Sequence, residues 1–446
     1  MDNQPTRRDF IKTSAATGAV LASSLAISKA SYAGEGHTIR IALIGCGGRG
    51  TGAAGQALST DGPVKIVAMG DAFGDQISSS LRSLRFAVKD ASRIDVPKAR
   101  QFSGFDAYQK VMALDDVDMV ILATPPGFRP IHFAHAVAQG KHVFMEKPVA
   151  VDVPGVHQVL ETAKIAKTKN LKIGVGLQRH HDPHYIETVK RIQDGAIGDI
   201  LMMRTYWLQG AAQVRTRAGL TAKYGNLTEM EYQMRNWYYF AWLGGDHIVE
   251  QHIHNIDICN WVMDDYPNAC SALSGRQVRT GKDYGHIYDH HSVEFAYGKK
   301  WDIGTRMLSK SRQIQGASNE ISENIHGTKG FCSVSGFRIK NYKGKTIWKV
   351  KKQRGINAYQ IEHDDLFNAI RKNLPYNEAE IGAKSTLTGI MGRIASYTGA
   401  KITLKKANRS THCLAPQQYA WDAAPPILPN ADGYYPVAMP GTTKMK

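Results

Sequence analysis

Long apolar runs are missing from this chain: no uncharged stretch reaches the ~20 residues that a membrane helix needs, which excludes an integral membrane protein. Cysteine is scarce. The five present (Cys46, Cys259, Cys270, Cys332 and Cys413) are odd in number and lack paired spacing, so neither a disulfide framework nor a zinc ribbon is expected. Acidic residues are outnumbered, 39 against 56 Lys and Arg, giving a formal net charge of +17. Much of the excess is local, at Lys340, Lys343, Lys345, Lys349, Lys351, Lys352 and Arg354. Ile347 and Val350 interrupt these charges around a Lys343-Gly344-Lys345 turn, which predicts a solvated hairpin. No internal repeat is present. What remains is ordinary globular composition over 446 residues, enough for two or three cores.

The N-terminus reads as a targeting segment, residues 1–33. Thr6-Arg7-Arg8-Asp9-Phe10-Ile11-Lys12 is a twin-arginine consensus, and an uncharged stretch from Thr13 to Ser28 follows it. Ser31-Tyr32-Ala33 offers small residues for cleavage after Ala33. Export by the twin-arginine translocon carries a folded protein to the periplasm, often with its cofactor loaded. A chain that folds in the cytoplasm needs no disulfides. Nucleic acid is not an expected partner for an exported protein.

Residues 38–44 alternate and then become continuously apolar, as a central parallel strand buried on both faces should. The strand runs into Gly45-Cys46-Gly47-Gly48-Arg49-Gly50 and a small-residue helix near Thr51. In that order G-x-G-x-x-G is a dinucleotide fingerprint, with Gly45 for the turn, Gly47 for close approach of a pyrophosphate and Gly50 for helix–strand packing. A second strand, residues 64–69, ends at Asp71, about 20 residues on, where an acid binds ribose hydroxyls. An acid there repels a 2′-phosphate, so NAD is favoured; Arg82 and Arg85 keep NADP as the lesser reading. Further strands at 118–123, within 140–148 and at 171–177, with a helix holding His132 and His135 between the first two, complete a parallel sheet. The nucleotide domain spans 37–178.

The Thr124-Pro125-Pro126 turn, the Gly140-Lys141-His142-Val143 strand and the Glu146-Lys147-Pro148 tripeptide, following the glycine fingerprint in this order, resemble the Gfo/Idh/MocA family. That family includes glucose–fructose oxidoreductase, inositol dehydrogenases and NAD-dependent glycosidases. The resemblance implies an α/β fold: an N-terminal Rossmann sheet plus a C-terminal α+β domain with an open, mostly antiparallel sheet. It adds Gly48, Arg49, Thr124, Pro125, His132, Glu146 and Lys147 to the cofactor set, and implies pairing into a homodimer or homotetramer. The second domain is placed at 179–406, with its late helices packing back on the first. A proline-rich arm, 407–446, either wraps the body or stays loose.

The densest chemistry begins at Gly244. Glu250, His254 and Asp257 are spaced i, i+4, i+7 and would share one face of a helix. The resemblance places Glu250 and His254 on the family's acid and histidine positions, and His252 on the histidine of its glycosidases. Oxidising a hydroxyl needs a base on the O–H while hydride leaves the same carbon, and Lys147 and His254 are the candidates. Arg179 and Trp237 are candidate substrate residues, with Tyr206, Trp207, Arg235 and Asn236 of the same sugar-binding type. His247, Glu250, His252 and His254 could be read as a metal cluster, but no H-E-x-x-H order is present, so no metal is expected.

The expected function is an NAD(P)-dependent oxidoreductase acting on a sugar or glycoside hydroxyl. Because the periplasm supplies no nicotinamide nucleotide, the cofactor should stay bound and be recycled on the enzyme. One alternative is a redox-neutral glycosidase working by oxidation, elimination, hydration and reduction. A second is a sugar-binding protein that has lost catalysis.

Overall fold

In the computed structural model, which describes residues 36–212, 214–298, 303–351 and 353–444, six parallel strands form the first sheet. They are β1 (Ile39–Ile44), β2 (Val64–Asp71), β3 (Gln101–Ser103), β4 (Met119–Leu122), β5 (His142–Met145) and β6 (Ile173–Val175), in the order β3-β2-β1-β4-β5-β6. The twin-arginine segment, the Ala33 cleavage site and Lys352 lie outside the described residues. The apolar run of β1 is explained by its two covered faces. Ile39, Ile41 and Leu43 join one core cluster, while Ala42 and Ile44 join another on the opposite face. The helix expected near Thr51 begins at Gly48, because Gly47, in extended backbone, acts as its N-cap.

Nine strands form the second sheet: β7 (Ile200–Gln209), β8 (Ala269–Gly275), β9 (His290–Ala296), β10 (Arg306–Gln313), β11 (Glu320–Gly327), β12 (Phe331–Ser333), β13 (Arg338–Lys340), β14 (Thr346–Lys349) and β15 (Ile402–Thr403). Their order is β14-β13-β12-β11-β7-β10-β9-β8-β15, antiparallel throughout except for the β7–β10 pair. The basic segment is the β13–β14 edge hairpin, with Gly344 at φ +81° in its turn. The buried face of this sheet carries a polar stripe (Thr205, Ser309, Ser311, Gln313 and Glu323) that simple alternation would assign to aliphatic residues.

Two late helices bind the sheets together. Ala358–Arg371 inserts Leu366, Phe367 and Ile370 into the core around β1, each stabilising by about 2 kcal/mol. Ala379–Thr398 runs between the helix Val153–Thr168 and β8. Its glycines permit close approach: a Cβ at Gly392 would stand 2.9 Å from Phe295 and Ile248. The C-terminal arm is packed rather than loose. The Leu414 amide donates to Asp152 at 2.7 Å, and Tyr419 and Trp421 stack among Phe73, Phe105 and Phe128.

Candidate functional site

A cavity of about 560 Å³ lies beyond the carboxyl ends of β1, β2, β4 and β5, where an open parallel sheet holds its ligands. The second sheet, through Trp207, and the segment Glu250–His254 close its other side. It brings together Gly45, Gly47, Gly48, Arg49, Gly50, Asp71, Thr124, Pro125, His132, Glu146, Lys147, Arg179, Trp237, Glu250 and His254. His252 and Asp257 are absent from its lining, as are the exposed Arg82 and Arg85.

The glycines divide the labour of the nucleotide end. A Cβ at Gly45 would meet the Thr124 amide at 2.4 Å, and one at Gly50 the Gly45 carbonyl at 1.9 Å, so both are fixed by packing. At Gly47 and Gly48 a Cβ would meet nothing within 4 Å, which leaves backbone open toward the cavity. The helix Gly48–Ala57 has no side-chain cap, so its first amides are free for a phosphate. Asp71 accepts from the amides of Cys46 (2.6 Å) and Phe73 (2.9 Å), and burial pushes its carboxyl up to about 6 despite them. Arg129, fully buried, donates to the carbonyls of Leu122 (2.5 Å), Thr124 (2.6 Å) and Glu146 (3.1 Å), tying the ends of β4 and β5. His132 stacks on Tyr108 at 4.2 Å, and burial pushes it down to about 3, so its ring is neutral. Arg49 pairs with Glu146 and lies 3.6 Å from Glu362, a buried acid whose two oxygens have no hydrogen-bond partner. Burial and the nearby Glu146 hold Glu362 well above the ordinary carboxylate range. These features suit a dinucleotide: uncapped amides for its diphosphate, an acid for ribose, and flat rings at the far end.

Lys147, just past β5, points at the segment from the other half. Its Nζ donates to Glu250 Oε1 at 2.7 Å and to the Glu250 carbonyl at 2.6 Å. An ammonium has three donors, so one remains for a ligand. His254 lies parallel to Trp207, with centroids 5.8 Å apart, and its backbone carbonyl accepts from Arg179 at 3.2 Å. Burial, with the cations Lys147, Arg179 and Arg49 nearby, pushes His254 well below the usual histidine value, leaving a neutral ring. Four buried polar atoms here have no partner: Gln178 Oε1, Trp207 Nε1, Glu250 Oε2 and His254 Nδ1. Two are acceptors, one is a donor and one can be either. Buried polar atoms are usually paired with protein, water or ligand, so this cluster has the donor and acceptor set that a polar ligand would complement.

The single helical face expected for Glu250, His254 and Asp257 does not form. Gly245 (φ +80°) and Asp246 (φ +72°) turn the chain into a short helix, His247–Glu250; the helix then breaks and resumes at Ile253–Met263. The break leaves Glu250 and His254 on the cavity and turns Asp257 away. Asp257 pairs with His180 at 2.7 Å and accepts from Ser385 at 2.7 Å. His252, fully buried, hydrogen-bonds Ser309 at 2.8 Å, and burial pushes it down to about 3. It braces the segment from behind.

The supposed metal residues are likewise dispersed. Among the described residues, Asp246, His247 and His291 do come together, with ligand atoms within 4.8 Å. Asp246 is engaged by the Tyr288 amide (3.1 Å), the His247 amide (2.5 Å) and Tyr397 Oη (2.7 Å), which hold the turn, while His247 Nε2 and His291 Nε2 are buried without a hydrogen-bond partner.

Sequence reasoning missed Glu323, which receives Arg179 at 2.5 Å from the buried face of β11, and Tyr359 and Glu362, which reach the nucleotide end from a late helix. No local pattern marks them. Glu323 stands at an inward position where alternation predicts an apolar residue, and that mismatch is the one usable signal.

Residues 39–177 match the model of an oxidoreductase family with an NAD-binding Rossmann fold, residues 185–333 a GFO/IDH/MocA C-terminal domain, and residues 4–24 a twin-arginine translocation signal. The chain is 24% identical to an inositol 2-dehydrogenase of Rhizobium meliloti over 305 residues, 68% of this chain and 77% of that one. It is 27% identical to a glycosyl hydrolase family 109 protein of Shewanella pealeana over 212 residues, 44% of each. Among solved structures, aldose-aldose oxidoreductase from Caulobacter crescentus superposes with a TM-score of 0.63 at 17% identity, covering 82% of this chain and all of that one. Scyllo-inositol dehydrogenase from Lactobacillus casei, with bound NAD(H) and scyllo-inositol, gives 0.61 at 19% identity, covering 82% and 99%. Among the described residues no helix is long and apolar enough to cross a membrane.

Proposed function

The chain belongs to the Gfo/Idh/MocA oxidoreductase family, and on that premise we propose that it is an exported enzyme that oxidises a hydroxyl of a sugar or glycoside and keeps its nicotinamide cofactor bound through the whole cycle. The observation that carries the reading is the meeting of the Lys147–Glu250 pair with four unpartnered polar atoms in one cavity wall. Inositols and aldoses, the compounds named for its relatives, are ringed by hydroxyls of the kind this wall would satisfy.

The nicotinamide, when bound, supplies the hydride acceptor and later the hydride donor. The remaining work falls to side chains. The free N–H of Lys147 donates to the reacting oxygen, and neutral His254 takes the hydroxyl proton as the C–H bond breaks. Gln178 Oε1 and Glu250 Oε2 accept from neighbouring hydroxyls, and Trp207 Nε1 donates to another. In the return half-reaction His254 gives its proton to the carbonyl oxygen of a second carbohydrate. Asp71 favours NAD, as an acid beside the ribose does.

A redox-neutral glycosidase is the second reading, favoured by the family 109 relatives. It no longer draws on His252, which bonds Ser309 away from the cavity. The protein, exported and purified without added nucleotide, separates these readings when it is given aldose pairs and aryl glycosides. An oxidised and a reduced sugar in equal amounts support the first. Free aglycone with unoxidised sugar supports the second. Nucleotide-loaded protein that transforms neither but binds carbohydrate supports the sugar-binding alternative.

A further inference from the structure

The adenosine end of the cleft is closed by the half of the molecule that should only handle substrate. Arg235 ends the helix Glu229–Arg235, which a Thr228–Glu231 capping box fixes at its start. Its guanidinium lies 3.8 Å from the Phe73 ring centroid and 3.7 Å from that of Tyr224, a sandwich that holds the plane rigidly. One amino group reaches Asp75 at 3.4 Å, and Tyr224 Oη donates to the same carboxylate at 3.0 Å. The side chain is only 9% exposed, yet its Nε is buried without a hydrogen-bond partner, and Arg235 lines the same cavity as Asp71.

Phe73 is the shared element. Its amide donates to Asp71, its ring carries Arg235, and Trp421 of the C-terminal arm stacks on it at 5.1 Å and on Phe105 at 4.4 Å. Nucleotide half, substrate half and arm thus meet at one ring beside the ribose-binding acid.

We propose that Arg235 is a cofactor-binding residue, donating from Nε to the ribose edge of the adenosine moiety and closing the cleft over it, with Trp421 a positioning residue that holds Phe73 beneath it. The proposal rests on the cofactor reading above. It gives that reading a physical basis, because a dinucleotide gripped from both halves leaves only when the halves part. The ribose edge can present a 2′-hydroxyl or a 2′-phosphate, and an arginine serves either.

Release of bound reduced nucleotide, followed by its fluorescence on dilution into excess oxidised nucleotide, tests the assignment for NADH and NADPH separately. Arg235→Met keeps the aliphatic stem between the rings and removes the donor. It should release nucleotide about tenfold faster or more, the worth of a lost charge-assisted hydrogen bond. A larger change for NADPH than for NADH assigns the contact to a 2′-phosphate, and equal changes assign it to the hydroxyls. Trp421→Leu, outside the cavity, should speed release by a smaller factor, and it serves if the first variant does not fold. Release within twofold of the unmodified protein in both variants overturns the assignment. An unmodified protein that binds neither nucleotide overturns the cofactor reading as well, and so marks the two failures apart.

Discussion

At the nucleotide end of the cavity Asp71 holds two backbone amides, Arg129 three carbonyl oxygens and Arg49 a carboxylate, whereas Gln178, at the end of the same half, and Trp207, Glu250 and His254 of the other each keep a polar atom without a partner. The first group is engaged before any ligand arrives, although Glu362 and Arg235 at the same end keep unpartnered atoms of their own. The second is held ready at a cost in stability, since a buried unpaired polar atom costs ~1–3 kcal/mol that a ligand's hydroxyls would restore. The difference teaches that polar atoms left over, rather than those in use, are the ones to test for contact with a ligand, whether cofactor or substrate.

The most severe test of that contrast is Lys147→Met. Loss of the donor to the reacting oxygen should lower kcat about a thousandfold, while nucleotide content measured after denaturation stays near that of the unmodified protein. Next come two histidines two residues apart. His254→Asn should lower kcat about a hundredfold with little change in melting temperature. His252→Asn should keep kcat within a few-fold and destabilise by ~1–3 kcal/mol, because it strands Ser309 in the core. Equal kinetic losses in both would erase the distinction between cavity and brace.

The glycines sharpen the contrast on the other wall. Gly47→Val adds atoms where the protein has none, so melting of the nucleotide-free protein should hold while nucleotide affinity falls tenfold or more. Gly50→Ala forces a Cβ onto the Gly45 carbonyl and should lower stability itself, by about 3 kcal/mol. Calorimetry with and without NAD separates the two.

The parallel strands and the glycine turn were legible because each is local, whereas the strand order and the edge strand β3 were not read from the sequence. One strand, one turn and one helix suffice to identify them, and the residues needed are adjacent. The second half resisted for a physical reason. Its Trp207, Glu250 and His254 join Gln178 of the first half from separate elements, and nothing in any one segment says which of its polar residues ends up unpaired. The spacing of Glu250, His254 and Asp257 also misled. A continuous helix would align them, but Gly245 and Asp246 at positive φ start a helix that breaks after one turn. The arm was readable only as a composition. Its packing depends on aromatic rings at Phe73, Phe105 and Phe128, which follow three different strands of the parallel sheet.

The smallest expected effect concerns Asp257, the residue that left the cavity. Burial opposes charge on His180, but Asp257 at 2.7 Å more than offsets it and holds the imidazole above its ordinary value. The pair's stabilisation is therefore complete below about pH 6.5, the unfolded histidine value, and is lost as pH rises through the folded value. Asp257→Asn should cost ~1–2 kcal/mol in mildly acidic buffer and progressively less in alkaline buffer. Denaturant melts across that range read the trend. A cost that grows with pH would contradict the assignment.

The central claim is that hydride leaves a carbohydrate carbon and returns to carbohydrate without leaving the protein. It is tested most directly by giving the exported, nucleotide-loaded enzyme a sugar deuterated at the carbon to be oxidised, with no nucleotide added, and locating the deuterium by mass spectrometry. The account predicts many turnovers per bound nucleotide, deuterium in a carbohydrate product and no accumulation of free NADH. Turnover only on addition of NAD, with deuterium released into solution as free reduced nucleotide, would contradict it.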